Sequence, residues 1–354
     1  RLPNDPWRDA ELPIRVLESL DLLVLRSDPQ VKLSSAETAL IVTIPFLREA
    51  VLASGIVHAA EANPLVLGKS DTLSTFRDAL DKTHQGQLRF VRKAQRLEDR
   101  GCLDDKNAIL AWLMYQCLFT SLELWQPKSE GGYLSETFIG SLDQIRCCSS
   151  RLVQETLSRK RLLELAQCVI SNLERIDRDD RPGGLQTKLT VGRYREEQII
   201  REKMLAYLLH LAGALAVDFR LLSDVLVDHI GLSDPLTPGQ IRETVCQARW
   251  NPSGRGRVLR VICSHPAVDL ALHQHVEITD SVLTQIFRQV GEKRHRIEAL
   301  AGLPTHFMAD GITAEYRDGV PVYQTPHINF QLAHDEVREL LMGEQLYGDP
   351  MLAI

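Results

Sequence analysis

At 354 residues, 44% apolar and 25% charged, the chain has ordinary globular composition and is long enough for a principal domain plus a smaller appendage. A net charge of -6 argues against a general nucleic-acid binder, which needs a concentrated basic face. Seven cysteines, odd in number and scattered, read as buried free thiols of a reducing compartment. With neither a signal peptide nor a run of about 18 apolar residues, the expectation is a cytoplasmic chain without a membrane partner.

In chain order, Leu12-Pro-Ile-Arg-Val-Leu-Glu-Ser-Leu-Asp-Leu-Leu-Val24 repeats apolar residues at helical spacing, with Pro13 in the first turn. Ser34-Ser-Ala-Glu37 has the form of a capping box opening a second helix, which Pro45 should kink. Helices resume through Lys106 to Phe119 and over residues 151 to 175, with a surface loop at Asp177 to Gly184. Met204 to Phe219 is apolar on nearly every side, the pattern of a buried helical strut. Beyond residue 235 the texture changes. Val245 to Trp250 and Arg257 to Cys263 predict two strands around the turn Asn251 to Gly256, a helix follows from about Thr279 to Leu300, and Phe307 to Gln324 predicts a second hairpin turning at Asp318-Gly319.

Several chemical signals are weak. Leu67-Gly-Lys-Ser70 has Asn63 where a phosphate-binding loop needs its first glycine, and Cys147-Cys148 has no adjacent base. His273-Gln-His275 reads as a polar strand end, without the further ligands a tetrahedral metal site needs. His84 and His210 read as satisfied core or rim histidines.

Leu211-Ala-Gly-Ala-Leu-Ala216 resembles the last conserved helix of the HD phosphohydrolases, Leu-Ala-Asp-Ala-Leu-Asp, with Gly213 at the metal-binding aspartate. Glu11-Leu-Pro-Ile-Arg-Val16 resembles their His-Ser-x-Arg-Val opening, with Leu12 for the histidine, and Ile44 to Ala50 places Leu47 and Arg48 where the central His-Asp pair belongs. Asp81 to Gln87 resembles a further histidine-bearing helix, with His84 kept. That family's chemistry takes two His and two Asp around one divalent ion, so the resemblance implies a helical shell with a vestigial pocket of Leu12, Leu47, Arg48, His84 and Gly213, without catalytic or metal-binding residues. Arg48 is either a cation in that pocket, suited to a small phosphate-bearing ligand, or the partner of Glu49 or another carboxylate.

His327 to Ile354 resembles the opening of a GHKL ATPase domain of the heat-shock-chaperone type, with Leu-Met-Gly-x-x-Leu-Tyr ending at Tyr347 and Asp349-Pro350 starting the next helix. It implies a longer parent chain that binds ATP and Mg, with no cofactor in this piece. The expected fold class is mainly α: an HD-like helical domain over 1–235, a small α+β connector over 236–326, and the first strand and helix of the ATPase over 327–354. The expected function is a non-catalytic sensor or regulatory region of a chaperone-like ATPase, in a bacterial defence setting, partnered by its own ATPase domain and an effector or client protein. The alternatives are a divergent metal-dependent phosphohydrolase acting on a nucleotide, and a protein-interaction scaffold.

Overall fold

In the computed structural model, residues 5–24, 32–61, 74–125, 133–144, 159–170, 173, 187–191, 196–233, 235–292, 300 and 302–324 are described. They are mainly helical, with a small mixed sheet. The Asp177 to Gly184 loop, Cys147, Cys148, the Leu67 to Ser70 motif and the ATPase-like residues from His327 onward lie outside them.

Helix α1 (Leu12–Val24) buries Leu12, Val16, Leu20 and Leu23, a stripe set by its 4-4-3 spacing. The long α2 (Ser35–Glu61) starts at the expected capping box: Ser34 Oγ accepts from the Glu37 amide at 3.2 Å, and Glu37 Oε2 accepts from the Ser34 amide at 2.9 Å. It continues through Pro45 as one helix. By length and composition α2 could cross a bilayer, contrary to the expectation that no such run exists; 61% of its apolar window is buried inside the fold, the pattern of a core helix. Next come α3 (Ser74–Gly86), α4 (Leu88–Asp99), α5 (Leu103–Thr120), the single turn α6 (Leu122–Trp125), α7 (Tyr133–Gln144) and α8 (Arg159–Cys168). An antiparallel pair that the sequence reading did not contain, β1 (Thr187–Val191) and β2 (Glu196–Ile200), precedes α9 (Glu202–Leu215). Helix α9 is buried from Met204 to Gly213 and again at Leu215, as its apolar composition demands, and it packs on α1, α2 and α8.

The chain then passes through a 3-10 turn (Phe219–Leu221), α10 (Asp224–Asp228) and α11 (Pro238–Gln247), which is capped by Thr237 and Gln240. Val245 to Gln247 therefore end a helix, and the strand β3 (Arg249–Ser253) begins only after the Ala248 cap. It forms the expected hairpin with β4 (Gly256–Cys263), turning at Gly254, whose φ of +57° suits a residue without a side chain. The 27-residue α12 (Pro266–Glu292) starts well before the predicted Thr279 and carries His273 and His275 on a helix, not on a strand. Its buried Val268, Ala271, Leu272 and Val276 follow helical periodicity.

Strand β5 (Phe307–Ala314) does not fold back into the predicted second hairpin. It pairs in parallel with β4, giving the order β3-β4-β5, and α12 supplies the crossover that parallel pairing requires. The hairpin at Asp318-Gly319 exists only as the short β6 (Tyr316–Arg317) and β7 (Val320–Pro321), with φ of +51° and +78° at its two turn residues. Cys117, Cys168 and Cys263 are buried and Cys246 is half-buried; Cys102 is exposed, contrary to expectation.

Candidate functional site

The buried strut α9 stops abruptly. Val217 adopts φ +47°, a left-handed conformation costly for a β-branched residue, and the chain turns so that Asp218 points back into the protein. Asp218 then caps the 3-10 turn by accepting from the Arg220 amide at 3.1 Å. The end of α9 is lashed to α1 as well: Arg15 Nε donates to the Ala216 carbonyl at 3.1 Å, while the same guanidinium forks onto Asp9. Asp9 also accepts from the Leu12 amide, so one carboxylate both caps α1 and positions the arginine.

Four charged side chains from α2 and this turn form a closed network. Arg48 donates to Asp218 Oδ2 at 2.9 Å and to Glu49 Oε1 at 2.8 Å. Arg220 donates to both Asp218 oxygens, at 2.7 and 2.8 Å, and to both Glu49 oxygens, at 2.9 and 2.7 Å. Both guanidiniums are about 1% exposed. Helix α5 supplies the floor: the Phe119 ring lies 5.1 Å from Arg48 and 5.8 Å from Arg220, and the Tyr115 ring lies 5.0 Å from Arg220. Gln116 fixes the turn through the Arg220 carbonyl at 2.8 Å. Burial alone would raise the Asp218 carboxyl, yet the charges and hydrogen bonds of Arg220 and Arg48 hold it well below the usual carboxylate range. Burial alone would lower the Arg220 guanidinium, and Asp218 and Glu49 instead raise it well above its ordinary value.

An N-terminal arm closes one side. Trp7 is fully buried, stacks on Phe219 at 5.7 Å and donates to the Ala108 carbonyl, and Tyr115 donates its hydroxyl to Asp5. Burial, then the neighbouring Asp5, pushes the Tyr115 hydroxyl above its ordinary range, so it stays protonated.

The residues singled out from the sequence fare differently. Arg48 is in the network, and its partners are both Glu49 and the unforeseen Asp218. Leu12 and Leu47 are buried apolar packing positions. Gly213 faces the turn that ends α8, where an added Cβ would meet the Val169 carbonyl at 3.1 Å and its Cγ1 at 3.2 Å, so close packing explains the glycine. His84 sits near the end of α3, its Nε2 buried with no hydrogen-bond partner among the described residues. His210 is a satisfied core histidine whose Nδ1 donates to the Cys168 carbonyl at 2.9 Å. Tyr347 and Asp349 lie outside the described residues. Asp218 and Arg220 were missed; the signal available was two opposite charges two residues apart soon after a helix that is apolar on nearly every side.

A divalent ion of the HD type does not fit this donor set. Leu12, Leu47 and Gly213 offer no ligand, every Asp218 and Glu49 oxygen is engaged by a guanidinium, and two permanent cations would repel a third. Among the described residues, no three His, Cys, Asp or Glu side chains are gathered as an ion needs. The family model described as iHD-CE matches residues 1–315 of the chain. No curated protein and no solved structure matches.

Proposed function

This chain belongs to the iHD-CE family and carries an HD-like helical domain, and from that premise we propose that it is a non-catalytic sensor or regulatory region. The observation that carries the reading is the clamp on Asp218: the one fully buried carboxylate beside Arg48 is spent on two arginines. A guanidinium cannot lower the pKa of a bound water as a divalent ion does, nor can it release a proton near neutrality.

We further propose that the domain regulates a chaperone-like ATPase that binds ATP and Mg, the reading supported by the resemblance of residues 327 to 354 to a GHKL opening. The effector or client protein and the defence setting rest on the same analogy of build. In the parent coding sequence, Glu and Asn at the family's offsets after Asp349 support the fusion, and their absence removes it. Metal analysis and a phosphoester hydrolysis assay with added Mn test the non-catalytic reading. Substoichiometric metal and no turnover are expected. A stoichiometric ion, lost to a chelator together with hydrolysis, would establish the divergent phosphohydrolase instead.

A further inference from the structure

The two carboxylates that answer Arg48 and Arg220 are not equivalent. Asp218 is enclosed, its side chain 4% exposed, and is tied to the Arg220 amide by the turn that carries it. Glu49 retains 14% exposure and, among the described residues, is held by the guanidiniums alone: Oε1 accepts from Arg48 and Arg220, and Oε2 accepts from Arg220. Two carboxylate oxygens thus serve three N–H donors, while Nε of Arg48 is buried with no acceptor among the described residues. The rings of Phe119 and Tyr115 hold the guanidinium faces, so the forks keep their geometry whether or not Glu49 is present. Without Glu49, two guanidiniums and Asp218 leave one uncompensated positive charge in a dry setting.

We propose that Arg48 and Arg220 form a recognition site for the phosphate group of a small phosphomonoester, with Glu49 as an internal occupant that the ligand displaces. This deepens the sensor reading above and rests on it. A phosphate monoester offers three terminal oxygens, enough for the three donors that Glu49 surrenders, and phosphate-to-guanidinium pairs are charge-assisted and bidentate. Glu49, 14% exposed, leaves toward solvent, and its release alters the outer face of α2.

The test uses the full chain with two probes, inorganic phosphate and adenosine monophosphate, followed by titration calorimetry and melting temperature at constant ionic strength. Glu49→Gln, which removes the competing charge at nearly constant shape, is expected to bind at least tenfold more tightly than the unaltered chain, about 1.4 kcal/mol. Arg48→Lys keeps a cation beside Asp218, so the fold survives, but it loses the fork and is expected to bind at least tenfold more weakly. Equal binding of both probes supports the site with free phosphate as its ligand; tighter binding of the nucleotide supports it with a nucleotide. A folded Glu49→Gln chain that binds neither probe at millimolar concentration overturns the proposal, as does an Arg48→Lys chain that binds like the parent. Hydrolysis of adenosine monophosphate by the same samples with Mn would overturn the non-catalytic reading alone, since binding is scored separately.

Discussion

Arg48 and Asp218 are separated by 170 positions in sequence and by 2.9 Å in space. Their pairing joins the middle of α2 to the turn after α9, and it does so where neither side chain can reach water.

Breaking that pair from the carboxylate side leaves two buried guanidiniums with Glu49 alone. Asp218→Asn should therefore lower stability by about 3–5 kcal/mol, read from urea unfolding near neutral pH. The same variant tests the acid limb. The folded Asp218 carboxyl is depressed below its unfolded value of about 3.9, so its contribution is complete above about pH 4 and drains away as pH falls further. The parent chain should lose stability in that acid range more steeply than Asp218→Asn does; parallel curves would contradict the assignment.

His210 predicts the opposite kind of group in a milder window. Burial holds its imidazole below the ordinary range, so the unfolded chain takes up a proton that the folded chain refuses. Stability should fall as pH drops below about 6.5. His210→Asn, which preserves a donor toward the Cys168 carbonyl, should flatten the difference between urea midpoints at about pH 7.5 and pH 5.5. His275, also depressed by burial and donating to the Ala214 carbonyl, accounts for part of the slope that remains.

Gly213 separates packing from vestigial chemistry. Alanine gains about 1 kcal/mol of helix propensity but presses a methyl on Val169, an overpacking cost of roughly 1–3 kcal/mol. Gly213→Ala should be neutral to destabilising in thermal melts. Gly213→Asp, the residue HD enzymes carry there, should unfold the domain and bind no metal by calorimetry.

Thiol labelling should follow burial. Cys102 is exposed and reacts first among the described cysteines, whereas burial pushes Cys117 up to about 11 and Cys263 up to about 12, so neither offers thiolate near neutrality. Mass spectrometry of briefly alkylated native protein should find Cys102 modified and Cys117 and Cys263 intact. Early modification of Cys263 would mean that its hydrogen-bonded neighbour Tyr323 does not hold its place against Asp269.

What the sequence disclosed is what short-range chemistry encodes. The stripe of α1, the capping box of Ser34 and Glu37, the buried strut at Met204 to Leu215 and the turn at Gly254 each follow from residues a few positions apart. Strand β5 was misread because parallel pairing leaves no turn to mark it, and the alternation around His273 masked a helix whose core residues lie on its other face. The site was half legible. The resemblance to the central His-Asp pair drew attention to Arg48, and the adjacent Glu49 was a foreseen partner, but Asp218 sits beyond the reach of any local pattern. Asp218 was overlooked because a metal-binding aspartate was sought five residues earlier.

The burial of Trp7 against Phe219 has a consequence for synthesis. The Trp7 indole cannot find its berth until α9 and the turn beyond it have emerged from the ribosome, so α1 and α2 must wait with an open seam.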